Sequence, residues 1–155
     1  AGVPLIVMHN QRGTDYRDFM GDVLASLRQS LARAQEAGVP WENLIIDPGI
    51  GFGKTLEHNL EIMRRLGELK ALGRPILLGT SRKSMIGLVL DLPASERLEG
   101  TAATVALGIA QGVDMVRVHD VRAMVRVCRM SDAIVRRRPF DGLRATPEPV
   151  EGGRA

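Results

Sequence analysis

The stretch from Leu44 to Thr55, Leu-Ile-Ile-Asp-Pro-Gly-Ile-Gly-Phe-Gly-Lys-Thr, limits what this chain can become more than any other. A short apolar run ends on a carboxylate, Asp47. Pro48 and three glycines, Gly49, Gly51 and Gly53, then turn the backbone toward Lys54 and a segment of helical periodicity. The pattern spells a strand, a tight loop and a helix start, with one acid at the carboxyl end of the strand. In parallel α/β proteins that edge is where ligands bind.

The same unit recurs along the chain. Pro4 to Met8 is continuously apolar, as in a strand of a parallel sheet buried on both faces. A polar loop from His9 to Thr14 follows. Between Asp15 and Ala37, Phe19, Val23, Leu24, Leu27, Leu31 and Ala34 recur at helical spacing, and Gly38 and Pro40 stop the helix. A second helix is predicted over Leu56–Leu72, with Leu60, Met63, Leu66 and Leu69 inward and Gly73 at its end. Pro75–Leu78 reads as the third strand and Gly79–Ser84 as its polar loop. A short helical piece over Met85–Leu90 and a small-residue helix over Ser95–Gln111 come next. Asp114–His119 reads as the fourth strand. Val121–Arg136 is the last helix, with Met124, Val127, Met130 and Ile134 inward.

Strand and helix thus alternate four times, with crossovers long enough for right-handed parallel units. Four such units suit a small open sheet, or half of an eight-fold β/α barrel, which needs roughly 200 residues or more. The chain opens on alanine and is apolar from Val3, so half a barrel, beginning inside a larger protein, is the expectation. Residues 1–136 form that half-barrel domain. The tail 137–155, rich in Pro, Gly, Arg and Glu, is expected to be disordered.

Composition narrows the ligand. With 155 residues and 45% hydrophobic content the chain can bury the core of one domain, and three Phe, one Trp and one Tyr make that core aliphatic. The net charge of +3 is carried by scattered arginines without interleaved aromatics, which argues against nucleic acid and for an anionic small molecule. One cysteine, Cys128, excludes an internal disulfide and fits a reducing, cytoplasmic setting. No apolar run reaches membrane-spanning length.

The polar residues at the strand ends carry the chemistry. Asp47 is either a turn cap, common for Asp before Pro-Gly, or a buried acceptor for the amino hydrogens of a ligand. The three glycines allow close backbone approach to a flat group, with Phe52 as a wall. Gly53-Lys54-Thr55 imitates a phosphate-binding P-loop, but Pro48 stands where its first glycine belongs and has no amide hydrogen, so a nucleotide triphosphatase is rejected. Ser81-Arg82-Lys83-Ser84 is either a solvated loop or an anion-binding one, on the same edge as Asp47. Alternation puts Met115, Arg117 and His119 on one face of the fourth strand. An Arg and a His entering a barrel mouth need a compensating charge, either a ligand anion or an internal salt bridge to Asp47. His9 is intermediate, and His58 reads as a surface helix residue.

Four motifs, Asp47 to Lys54, Gly79 to Ser84, Glu96-Arg-Leu-Glu-Gly-Thr101 and Arg117 to Asp120, together resemble the dihydropteroate synthase family in order and spacing, and Val7-Met8-His9 resembles its fifth-strand motif. The resemblance spans Pro4 to Arg136. It implies the C-terminal half of a TIM barrel of folate synthesis. That enzyme joins 6-hydroxymethyl-7,8-dihydropterin pyrophosphate to para-aminobenzoate and releases pyrophosphate. By the same resemblance Asp47, Lys83, Gly79 and Met8 bind the pterin, and Arg117 and His119 hold the pyrophosphate with Mg²⁺ assisting. Phe52, Ser81, Arg82 and Ser84 lie at the aminobenzoate, and Lys83, Arg117 and His119 are the catalytic set. The resemblance further implies a homodimer built through the last helices. The sequence departs from the family in lacking its first four β/α units, with an Asn, acidic and amide pterin ligands and two mobile loops. Asn10 also stands where a second Met is common. A chain of this kind is expected to turn over little alone. A related pterin-binding methyltransferase barrel, or a non-catalytic half-barrel subunit, are the competing classes.

Overall fold

Four short strands lie parallel and side by side in the order in which the chain makes them. In a computed structural model that describes residues 2–136, β1 (Leu5–Met8) pairs with β2 (Leu44–Asp47), Leu5 opposite Leu44 and Met8 opposite Asp47. An isolated bridge from Ile46 to Ile76 joins β2 to the start of β3 (Leu77–Leu78), which pairs with β4 (Met115–Val116). A doubly wound sheet would reverse its strand order at a switch point; sequential order is the arrangement of staves in a barrel. The tail at 137–155 lies outside the described residues.

The helices cover one face of this arc. α1 (Phe19–Glu36) buries Phe19, Met20, Val23, Leu27, Leu31 and Ala34, the expected stripe with Met20 added and Leu24 at its edge. These pack with Leu44, Ile46, Ile62, Leu66, Leu69, Ile76 and Leu78 in the main core. A smaller cluster of Val105, Ile109 and Met124 holds α4 (Leu98–Ala110) against α5 (Val121–Val135). Among the described residues no helix is long and apolar enough to cross a membrane.

Several expected elements come out differently. The helix expected over 56–72 is α-helical only as α2 (Leu56–Arg65) and continues as a 3-10 helix over Leu66–Leu72. The side chain of Gln111 explains the change: it donates to the Met63 carbonyl and accepts from the Gly67 N–H at the junction. A side chain inserted into the i→i−4 ladder interrupts it. β1 is not covered on both sides: Leu5 and Ile6 are 41% and 43% exposed, and among the described residues only β2 pairs with this strand. β4 stops at Val116, not His119. The Arg117 N–H still reaches the Leu78 carbonyl, but that of His119 goes to Ser81 Oγ and the ladder ends.

In α5 the inward stripe runs through Met124, Cys128 and Ser131, whereas Met130 and Ile134, expected inward, are exposed. The stripe steps by four after Met124 where the sequence reading stepped by three. The two alternatives separate in a measurement. Met130→Ala is expected to change unfolding free energy by no more than about 0.5 kcal/mol, and Met124→Ala to lower it by about 2–5 kcal/mol, by urea titration.

Candidate functional site

Asp47 is the last residue of β2 and is 2% exposed. Its Oδ1 accepts the Gly49 N–H at 2.8 Å, so the turn-cap reading is realised by one oxygen. Its Oδ2 faces Arg117 Nη2 at 3.3 Å, so the internal salt bridge is also formed. That distance is long for a charge-assisted bond, and the Arg117 side chain is 58% exposed at the rim. Burial raises the Asp47 carboxyl above its ordinary range, and the Gly49 amide, Arg117, Lys83 and Lys54 pull it back.

Two of the three glycines after Asp47 serve the protein itself, which corrects the expectation that all three make room for a ligand. Gly49, at φ +70°, is pressed against the His9 carbonyl so closely that a Cβ would overlap it. A Cβ on Gly53 would lie 2.5 Å from the Gln11 carbonyl. Only Gly51 turns toward the site, where an added Cβ would meet the stem of Lys83 at an ordinary 3.5 Å. Lys54 locks the turn with all three of its protons. Nζ donates to His9 Nδ1 at 2.7 Å, to the Gly49 carbonyl at 3.0 Å and to the Phe52 carbonyl at 2.9 Å. Burial pushes Lys54 down to about 8, against the pull of Asp47. His9 is buried as the neutral acceptor and is pushed down to about 4, first by burial and then by the Lys54 charge.

The end of β3 and the end of β4 face each other across a cleft of about 380 Å³ lined by Gly79, Ser81, Lys83, Arg117, Val118 and His119. A volume of that size falls in the range of small-molecule sites. The Arg117 guanidinium crosses Gly79: a Cβ there would lie 2.9 Å from Nη2 and push the side chain aside. Ser81 Oγ accepts the His119 N–H and lies 2.9 Å from His119 Nδ1. Where Oγ donates to Nδ1, the ring presents Nε2–H to the cleft as a donor. Lys83 Nζ rests 4.3 Å above the Phe52 ring, a cation–π contact that ties this loop to the glycine turn.

The structure therefore gathers Asp47, Gly79, Ser81, Lys83, Arg117 and His119 at one sheet edge, with Phe52 under Lys83 and Met8 beside Asp47 in register. Two expected site residues stand apart. Arg82 turns its guanidinium onto Asp120 through bonds of 2.6 and 3.0 Å, and Ser84 is exposed at the first position of α3 (Ser84–Leu90), outside the cleft lining. His58, expected as a plain surface residue, caps α2 with Thr55 and stacks on Phe19 at 4.4 Å. Sequence reasoning missed Lys54 and Asn59. The Asn59 Oδ1 accepts the Gly51 N–H at 2.7 Å, and its only sequence signal was a polar residue on the inner face of a helix.

The residues of this chain do not fit a Mg²⁺ site of their own. Mg²⁺ takes oxygen ligands in an octahedron. Here Lys83 and Arg117 bring positive charge, both Asp47 oxygens are engaged, and among the described residues no three His, Cys, Asp or Glu share a centre.

A parallel β/α arc with a buried acid, a lysine, an arginine and a histidine at its carboxyl edge defines a barrel-type α/β site. The family profile described as "pterin binding enzyme" matches residues 1–119, and the chain belongs to that family. It is 56% identical over 136 residues to a dihydropteroate synthase of Clostridium beijerinckii, covering 87% of this chain and 51% of the relative. Against that of Bacillus subtilis it is 52% identical over 133 residues, covering 86% and 47%. Among solved structures, a dihydropteroate synthase from Clostridium difficile, determined in the presence of pteroic acid, superimposes with a TM-score of 0.85 at 52% identity, covering 87% of this chain and 52% of that one. The Thermus thermophilus enzyme in complex with 6HMPPP gives 0.81 at 42% identity, covering 86% and 53%. The chain spans about half the length of the curated relatives it matches. Its four β/α units are a portion of the (β/α)8 TIM barrel of those structures.

His9 sets the acid limit of this turn. Its folded value near 4 lies below its ordinary 6.5, so the unfolded chain binds the extra proton in between and stability falls as pH drops through that window. The stabilisation is whole above pH 6.5 and lost near pH 4, for a total of about 3 kcal/mol. Urea unfolding is expected to show this loss in the native chain, and His9→Asn, which keeps an acceptor but does not titrate, to flatten it. Gly49→Ala is expected to cost more than about 2 kcal/mol by the same measurement, from the positive φ and the His9 carbonyl.

Proposed function

We propose that residues 1–136 form the C-terminal half of a dihydropteroate synthase barrel. In this reading the complete enzyme condenses 6-hydroxymethyl-7,8-dihydropterin pyrophosphate with para-aminobenzoate to 7,8-dihydropteroate and pyrophosphate. The observation that carries the reading is the meeting of Asp47 with Lys83, Arg117 and His119 at the ends of three consecutive strands. The names of the relatives support it, each at half its own length.

The chemistry follows from the charges. The bond between the pterin methylene and the pyrophosphate oxygen breaks with its electron pair leaving on the pyrophosphate. Arg117 and the Nε2–H of His119 are placed to stabilise that developing charge. The exposed half of Arg117 is the part that meets the anion, and its loose contact with Asp47 allows the exchange. Asp47 accepts amino and ring hydrogens of the pterin and tolerates the positive charge left on the heterocycle. Lys83 donates to a ring acceptor from its seat over Phe52. The neutral arylamine then attacks the methylene carbon and loses its proton. Phe52 and Ser81 border the aminobenzoate, and Ser84 and Arg82, outside the cleft lining, lie at its outer end. Mg²⁺ enters none of these steps through this chain. The reading places the enzyme in the cytoplasm. It takes the last helices as a homodimer surface, for which exposed Val121, Val125, Met130 and Ile134 on α5 are the support.

Three measurements test the reading. In a barrel that carries this segment together with the family's first four β/α units, Lys83→Ala and Arg117→Ala are each expected to cut turnover by at least about 10²-fold with melting curves unchanged. Normal turnover in either would remove that residue from the site. The 155-residue chain alone is expected to release little pyrophosphate in a coupled assay.

A further inference from the structure

The Glu96–Thr101 motif takes no part in the site just described, yet two of its residues grip the loop that presents Lys83. The Arg97 Nη1 donates to the Arg82 carbonyl at 3.0 Å and to the Lys83 carbonyl at 3.3 Å, and Nε donates to the Leu92 carbonyl at 2.9 Å. The guanidinium thereby bridges both ends of α3. It is seated on Gly87, where any Cβ would overlap it. Four positions on, Thr101 is fully buried; its Oγ1 donates to the Arg97 carbonyl at 2.8 Å and accepts the Arg82 N–H at 3.1 Å. Both peptide groups of residue 82 are thus held by α4 and the turn before it.

That grip has a purpose in local energetics. Arg82 has φ +57°, a left-handed conformation that costs a non-glycine residue roughly 1 kcal/mol or more and persists only where its surroundings enforce it. Without enforcement the peptide between Arg82 and Lys83 would relax, and the Lys83 side chain would leave the Phe52 ring. The Arg82–Asp120 ion pair holds the side chain of the same residue but not its backbone.

We propose that Arg97, acting with Gly87 as its seat, is a positioning residue for the candidate site: it fixes the strained peptide at Arg82 and so keeps Lys83 over Phe52 beside Asp47. The inference rests on the proposed function only in treating Lys83 as a site residue. Its test uses no substrate, so its failure leaves the turnover experiments on Lys83 and Arg117 as the judge of that reading.

The signature is the upfield ring-current shift that the Phe52 ring imposes on the Lys83 ε-methylene protons, read by NMR on the full chain. Arg97→Ala is expected to abolish the shift while the amide resonances of β1, β2 and α1 stay in place. Arg97→Lys, which keeps one donor group for the two loop carbonyls, is expected to restore part of it. Gly87→Ala, which displaces the guanidinium without removing it, is expected to reproduce the loss. A Lys83 shift unchanged in Arg97→Ala or in Gly87→Ala would overturn the proposal. So would collapse of the whole spectrum in both, which would make the pair a general folding element and not a device of this loop.

Discussion

A carboxylate at the end of a buried strand is the constraint to which the other polar residues of this edge answer. Asp47 loses most of its hydration where β2 ends, and an isolated charge there would be costly. The protein answers with one backbone amide on one oxygen and a distant guanidinium on the other. The amide is close and buried, whereas the guanidinium stands 3.3 Å away with its side chain 58% exposed, so the second oxygen stays open to exchange. Because Arg117 must reach Asp47 from β4, it has to cross β3, and position 79 has no side chain to obstruct it. Because Gly49 must deliver its amide two residues after Asp47, it takes a positive φ and leans on the His9 carbonyl. One acid thus bears on two glycines, each in the loop that follows a strand.

Around it the structure divides its cations by burial. Lys54 is enclosed and saturated by carbonyls and by a neutral histidine, so it shapes the turn. Arg82 is engaged by Asp120, and Arg97 by carbonyls. Lys83 and Arg117 remain on the cleft, each with only one weak contact, to a ring and to a distant carboxylate. Sequence spacing alone cannot sort five cations in this way: Lys54, Arg82, Lys83 and Arg117 all follow strand ends, and Arg97 precedes α4. Their different partners do.

Much of the fold was nevertheless legible. The ends of β1, β2 and β3 were clear because apolar runs break on Pro, Gly and polar residues, and the four-fold alternation followed from them. Asp47, Lys83, Arg117 and His119 were legible because a strand's carboxyl end is a place that periodicity can locate. What escaped depended on residues remote in sequence. Lys54 reaches His9 across 45 positions, and Gln111 reaches Met63 across 48 to break α2. The phase of α5 failed because Val127 and Cys128 share the boundary of its inner face, so two apolar stripes fit the sequence and only packing on Ile109 and Val105 chooses between them.

The open side of β1 carries a consequence of its own. Leu5 and Ile6 stand exposed on a strand that pairs along one edge only among the described residues, so unpaired backbone amides and carbonyls sit next to uncovered aliphatic side chains. No proline or charged residue lies within Leu5–Met8 to discourage a visitor. A row of this kind is a template for any extended apolar segment. Left open at high concentration, this edge is one place where the chain should self-associate. A lysine at position 6 would be the first change to make in keeping it dispersed.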